Sequence, residues 1–549
     1  MNLKFSRNLF SALLVVTLVL TGCSNASSGS PNLANYQGMK VQAEDCAYGG
    51  EIQSVEALDA YSVKFTLCTP DASFAQKMSS PILAIQDKDF LDSHQGDSAL
   101  MTAEVNGTGP FTLVTNNPDL PIQLSLSSSY WGTPPRITDI YFHWYKETDA
   151  TIPQQYRSLG DVFNSIKPRA IPSIQNDSDF SGISHDSLNL VYIGFNNKIS
   201  PMDNVVVRQA IAYMIDQNNL AQRYLPAGSI PATQVIPSYA STGATTALDW
   251  YQVRPKDSID ALGAAGFDFT QEITLAYDST SSEYIQYPIQ IAEAIQMSLE
   301  SIGLNVLLKP MNTEEFNQAM ADGTEMMFIG TYEARYNDGA AFYEIPLLRQ
   351  TKRFGDPYLG LKQGFLAVQK EASSIARQTK FDELNQAFKE QVPFIPIGYV
   401  VQWSYFRNTI SSASTNAWFE NYEDLANQSL TLQVYDGTRP VSLWPADETD
   451  NDTFRITRLI YDTLVTEGYG GTGLQPSLAD SWVSNTDMTE WTFYLRYNVQ
   501  FTDGATLDAN DVVASFAAIW DTSDPNHKGR TGEYLIFREL FGNLLSESE

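Results

Sequence analysis

Apolar and polar side chains alternate from Ser54 to Leu67, where Val55, Ala57, Tyr61, Val63, Phe65 and Leu67 share one parity. That period of two predicts a strand with one face in a core. From Asp203 to Leu225 the period changes. Val206, Val207, Ala210, Ile211, Met214 and Ile215 recur at helical spacing, and Asp203 is placed to cap the predicted helix. A strand–helix–strand unit follows. Ile273–Tyr277 reads as a short strand, and Ile291, Ile295, Leu299 and Ile302 share one face of a helix from Tyr287 to Ile302. Gly303 is its natural stop, and Leu304–Leu308 returns as an apolar strand. Such a unit belongs to a mainly parallel sheet covered by helices, which makes the fold class α/β. Met326–Ile329 reads as the next strand, and a helix is predicted from Phe454 to Leu464.

The N-terminus changes the picture. Lys4 and Arg7 precede an apolar run from Leu9 to Leu20, too short and wrongly flanked for a spanning helix. It ends in Leu20-Thr21-Gly22-Cys23, which resembles a bacterial lipobox. The resemblance implies cleavage before Cys23 and lipidation of its thiol, with the Ser-, Asn- and Gly-rich tract that follows as a tether. Of three cysteines, that leaves Cys46 and Cys68 in an oxidising setting. An even pair there predicts a disulfide, closing a loop of about twenty residues and contributing roughly 3 kcal/mol; two buried thiols are the alternative. At 549 residues, with 43% hydrophobic and 12% aromatic content, the chain has ample material for large cores. A formal charge of −30 argues against nucleic acid or an anionic membrane bound through a basic face.

Several longer phrases carry a resemblance. They are Val55-Glu56-Ala57-Leu58-Asp59 through Leu67; Gly107-Thr108-Gly109-Pro110-Phe111 with Tyr130-Trp131-Gly132; and Gly194-Phe195-Asn196-Asn197 with Val207-Arg208-Gln209-Ala210-Ile211. Val392-Pro393-Phe394-Ile395-Pro396 continues the series, and a last set runs from Leu430-Thr431-Leu432-Gln433-Val434 to Asp511-Val512-Val513. Together they resemble the peptide-type, family 5 substrate-binding proteins of ABC transporters. In that family the last set normally comes first, so the resemblance implies a circularly permuted chain. The implied fold is a two-lobed, type II (cluster C) periplasmic-binding-protein clamp. The expected order is a signal peptide over 1–22, a tether over 23–35, lobe I over 36–187, lobe II over 188–409, and the rest of lobe I over 410–549. The termini should then lie in lobe I, with Leu430–Glu549 packed against Ile52–Leu67.

The resemblance also points to a site. Ligands of open α/β sheets sit beyond the carboxyl ends of strands, here after Met326–Ile329, in Gly330-Thr331-Tyr332-Glu333-Ala334-Arg335-Tyr336-Asn337-Asp338. The family's tryptophan is replaced by Tyr332, still an aromatic wall, and its amine-binding aspartate by Arg335. That reversal sets a cation against a peptide amine. Either free peptide N-termini are no longer taken, or Glu333 or Asp338 supplies the missing acid; alternatively, Arg335 turns outward to surface acids. Tyr336, Asn196, Trp418, Phe419 and Trp444 complete the candidate ligand contacts, each with a core or capping role as its alternative.

Nothing marks an enzyme. The four histidines show no metal-ligand spacing, and no nucleophile elbow, phosphate loop or dinucleotide fingerprint occurs. The acidic run Asp447–Asp452 reads as a polar loop capping the next helix. No cofactor or metal is expected. The implied function is a monomeric, lipid-anchored extracytoplasmic protein that captures a peptide or similar solute and delivers it to a permease and its ATPase. A divergent paralogue serving as surface scaffold or sensor input is the alternative, and a hydrolase with a convergent acid pair is a third.

Overall fold

The computed structural model describes residues 36–146, 151–185, 188–245, 251–344, 347–348, 351–471 and 473–547. The expected signal segment, Cys23 and the tether lie outside the described residues. The alternation from Ser54 to Leu67 proves to be two strands, Ile52–Asp59 and Ser62–Leu67, joined by a turn at Ala60 and Tyr61. Parity survives the turn because a register shift between Ala57 and Asp59 leaves Val55 opposite Phe65 and Ala57 opposite Val63, so these four and Leu67 are all buried. Ser62–Leu67 then pairs on its other side with Glu490–Leu495 from the far end of the chain. Among the described residues the antiparallel sheet runs Lys40–Gln42, Ile52–Asp59, Ser62–Leu67, Glu490–Leu495, Ala479–Ser484. Phe65 packs edge-on against Phe493 and Phe516, with ring centroids 5.6 and 4.9 Å apart. Each such fully buried ring stabilises by roughly 1.5–3 kcal/mol. Cys46 and Cys68 form a disulfide beside this sheet, their Cα atoms 5.5 Å apart.

A second sheet has the order Phe111–Thr115, Ile122–Leu126, Asp139–Trp144, Thr431–Asp436, Val162–Phe163, Trp403–Arg407, Phe180–Ser184. Thr431–Asp436 lies in its middle, parallel to both Asp139–Trp144 and Val162–Phe163. The late segment therefore supplies a central strand here and two strands of the first sheet.

A third sheet has the order Ile230–Pro231, Phe394–Tyr399, Asn189–Phe195, Met327–Glu333, Glu272–Asp278, Asn305–Met311. Glu272–Asp278 is parallel to Asn305–Met311 and to Met327–Glu333, as the strand–helix–strand pattern requires. The helix between, Pro288–Glu300, buries Ile291, Ile295 and Leu299, and Gly303 follows it at φ +89°. Elsewhere the structure departs from expectation. The segment 203–225 is two helices, Val205–Ala212 and Gln217–Tyr224. Asn204, not Asp203, caps the first, and the Asp216 side chain caps the second, restarting the helix where the apolar stripe had read as continuous. Met327–Glu333 runs four residues past Ile329, zipped antiparallel to Asn189–Phe195.

Among the described residues, Phe180–Ser184 of the second sheet is followed by Asn189–Phe195 of the third, and Phe394–Tyr399 of the third by Trp403–Arg407 of the second. The expected boundary at 409 thus falls after a strand, Trp403–Arg407, that belongs to the second sheet. Buried polar contacts also tie the two sides. Lys77, fully buried, reaches Glu51 (3.0 Å), Asp71 (2.8 Å) and Glu344 (3.1 Å), and Arg377 donates to Ser73 Oγ at 2.9 Å.

Candidate functional site

A cavity of about 220 Å³ opens among residues around the first and second sheets, with Arg335, just past the strand Met327–Glu333, lining it from the third sheet's side. Its floor is the helix Asn451–Ile460, which starts at Asp450 because that side chain accepts the Thr453 N–H at 2.8 Å. The acidic run before it is therefore a cap and loop. Phe454, Thr457, Arg458 and Tyr461 line the cavity at intervals of three and four, one face of the helix continued by a residue.

Two glycine-containing phrases build the wall. A Cβ on Gly107 would lie 2.0 Å from the Ile460 carbonyl oxygen, so only glycine allows the loop to close on the helix end. The Gly109 N–H donates to that carbonyl at 2.9 Å. The approach sets Thr108 to donate to Asp462 Oδ2 at 2.9 Å, and Trp131 Nε1 donates to the same oxygen at 2.9 Å. Tyr130 donates to Glu423 at 3.4 Å. Burial pushes the Asp462 carboxyl up to about 6, against the bonds from Trp131 and Thr108.

The roof is a tight loop. The Asn416 Oδ1 accepts the backbone N–H groups of Trp418 (3.0 Å) and Phe419 (2.8 Å), fixing both rings over the cavity. Trp418 Nε1 donates to the Ala334 carbonyl at 3.1 Å, joining the loop to the end of Met327–Glu333.

Of the residues singled out from sequence, Arg335, Trp418 and Phe419 line the cavity. Arg335 does not turn to the surface. It is clamped by Glu333 (3.3 Å) and Glu539 (3.1 Å), which leaves one net negative charge around it. The other candidates are engaged elsewhere. Tyr332 lies within a strand and donates to the Ala341 carbonyl at 2.8 Å. Tyr336 is buried and donates to Glu344 at 2.7 Å. Asp338, fully buried, holds Arg377 through both oxygens at 2.9 and 2.8 Å, so it is not a free acid for a ligand amine. Asn196 donates to the Gly323 carbonyl and accepts from Lys198 N–H, a structural link at a strand end. Trp444 is buried and absent from the cavity lining.

Sequence reasoning missed Arg458, Glu423, Asp462 and Glu467, all on the lining. The available signal was a charged residue inside an otherwise apolar helical stripe, Arg458-Leu459-Ile460-Tyr461. Among the described residues no group of three or more His, Cys, Asp or Glu side chains is arranged to hold a metal ion, and no helix is long and apolar enough to cross a membrane.

Residues 24–352 and 473–535 match the model of the bacterial extracellular solute-binding proteins, family 5 middle. The dipeptide-binding protein of Escherichia coli (strain K12) is 23% identical over 274 residues, 50% of this chain and 51% of that protein. That alignment thus spans about half the relative's length. Di/tripeptide-binding protein 1 of Pseudomonas aeruginosa (strain UCBPP-PA14) is 26% identical over 408 residues, 68% of this chain and 72% of that one. The solved structure of HbpA2 from Haemophilus parasuis shares the fold at a TM-score of 0.61 and 22% identity, covering 69% of this chain and 76% of that chain.

Proposed function

Because the chain belongs to the family 5 bacterial extracellular solute-binding proteins, we propose that it captures a short peptide in the cavity under Trp418 and hands it to an ABC permease with its ATPase. The observation that carries this is the lining. Aromatic rings (Trp418, Phe419, Phe454) sit beside both carboxylates (Glu423, Asp462, Glu467) and guanidinium groups (Arg335, Arg458), the mix a zwitterion with apolar side chains needs. The names of two relatives, a dipeptide-binding and a di/tripeptide-binding protein, support the same class of solute. Arg335 does not repel an amine here, since Glu333 and Glu539 more than balance its charge.

Capture proceeds by closure of the two lobes about the connections between the second and third sheets, Tyr399–Trp403 among them, a hinge motion in which no bond is made or broken. The protein works outside the cytoplasm as a monomer, held to the membrane by a lipid on Cys23. The chain order is a circular permutation. Its support is the placement of late strands inside sheets begun by early ones, Glu490–Leu495 against Ser62–Leu67 and Thr431–Asp436 between Asp139–Trp144 and Val162–Phe163. Such rearrangement is tolerated when the cut falls in exposed loops.

Calorimetric titration with di- and tripeptides tests the reading. Saturable binding with one site per chain and a negative heat-capacity change is expected. Absence of binding across such a panel would remove the peptide assignment.

A further inference from the structure

We infer that Arg458 anchors a carboxylate of the bound solute, with the Thr457 and Tyr461 hydroxyls completing the anion's seat from the same helix face. This rests on the peptide-binding reading and names the end of the peptide that meets the floor of the cavity.

The first observation is an incompletely paired guanidinium. Arg458 has only 14% of its side chain exposed, and its ring-like plane lies between Phe419 (5.4 Å) and Tyr469 (5.3 Å). Its Nη1 donates to the Glu420 carbonyl at 3.1 Å, a neutral acceptor. The nearest carboxylate contact, to Glu423, is 3.9 Å, beyond hydrogen-bond reach. Burial lowers the proton affinity of this guanidinium, with Glu423 and Glu420 opposing. The group remains charged, so a buried cation faces the cavity with its ion-pair partner Glu423 at 3.9 Å and no carboxylate within hydrogen-bond reach.

The second observation is independent of charge. Thr457 and Tyr461 are 1% and 2% exposed, and their hydroxyl oxygens have no hydrogen-bond partner within the protein. Buried hydroxyls are rarely left so. Both residues line the cavity beside Arg458, at helix positions that share its face. Two hydroxyl donors and a planar fork match a carboxylate, which takes about four hydrogen bonds. Arg335 is the weaker rival for this role, because Glu333 and Glu539 accept from two of its donors and outweigh its charge. Three acids, Glu423, Asp462 and Glu467, share the lining and suit the ligand's ammonium group, Glu423 standing 3.9 Å from Arg458 itself.

The test titrates the full chain with Ala-Phe and Ala-Ala-Phe, with the same peptides as C-terminal amides, and with hexanoate as a bare carboxylate. For the wild type, the free acids should bind about tenfold or more tighter than the amides. In Arg458→Met that preference should collapse to about twofold or less, and Arg458→Lys should recover part of it. Thr457→Val, which keeps shape and charge, should weaken the acids by about threefold and spare the amides. Equal binding of acids and amides by the wild type overturns the inference and leaves the peptide reading standing. So does an undiminished preference in Arg458→Met and Thr457→Val. If no peptide binds but hexanoate stabilises the wild type and not Arg458→Met, the anchor stands and the peptide reading falls. If neither binds, both fall.

Discussion

Arg455 and Arg458 stand one turn apart on the helix Asn451–Ile460, and they live in opposite surroundings. Arg455 points into the protein. It meets Glu420 at 2.7 Å, Asp436 at 2.7 Å and Asp452 at 3.1 Å, with 6% of its side chain exposed. Arg458 points into the cavity and has a carbonyl, two aromatic faces and one distant carboxylate. The first arginine joins the helix to the strand Thr431–Asp436 and to the loop that carries Trp418 and Phe419. The second is left for something that enters. The lesson is that burial alone does not separate an architectural charge from a functional one; the completeness of its partners does.

The carboxylates on the two sides diverge in the same way. Burial pushes the Glu420 carboxyl up, but Arg455, His185 and Ser404 more than reverse this and hold it well below the usual carboxylate range. Asp462, on the cavity side, has hydrogen-bond donors but no close cation among its bonds, and its pKa rises to about 6.

The largest expected effect breaks the filled side. Arg455→Met strands three carboxylates in the interior and should cost about 3–5 kcal/mol, read as a fall in the thermal midpoint. A loss below about 1 kcal/mol would mean the network is not structural. Lys77→Met should cost a similar amount for the same reason, since Glu51, Asp71 and Glu344 surround that ammonium group. Glu344 lies on the third-sheet side, so the variant should also open the molecule, measurable as a larger radius of gyration in solution scattering. An unchanged radius would show that this cluster does not hold the two sides together.

Next in size come two pH effects of opposite sign. Glu420 is depressed, so its contribution is present above the unfolded carboxylate value and is lost as pH falls. Glu420→Gln should therefore cost stability at pH ~7 and progressively less toward acid. Asp462 is raised, so the folded state holds an extra proton between the unfolded value near ~4 and about 6. Its penalty is absent in acid and complete above that window. Asp462→Asn keeps an oxygen for Trp131 and Thr108 and should stabilise the protein by about 1 kcal/mol at pH ~7, and not at pH ~4. Denaturant melts of both variants at the two pH values check this, and parallel pH profiles would contradict it. The smallest stability effect is that of Arg458→Met, within about 1 kcal/mol of wild type, because no close ion pair is broken.

Much of the scaffold was legible in the sequence. The parallel unit Glu272–Met311 was readable because its helix and strands have distinct periods. The hairpin at Ala60 and Tyr61 was hidden, because a register shift between Ala57 and Asp59 keeps the buried apolar positions of the two strands on one parity. The break before Asp216 was hidden by apolar residues on both sides of it. Gly330 to Glu333 read as loop since their strand character comes from the partner Asn189–Phe195, distant in sequence. At the site, Arg335 and the Trp418–Phe419 pair were found through a resemblance that ties them to a ligand cleft. Asp338 misled because its partner, Arg377, sits on another element. Arg458 was missed because the helical stripe around it reads as core, and only tertiary contacts reveal that its neighbour Arg455 is paired and it is not.

Structure determination of the chain with a dipeptide bound tests the central claim most directly. The peptide is expected in the cavity under Trp418, with its carboxylate oxygens about 2.7–2.9 Å from the Arg458 guanidinium and Arg455 still on its three acids. A peptide lying elsewhere, or one whose carboxylate faces Arg335 while Arg458 stays unengaged, would contradict it.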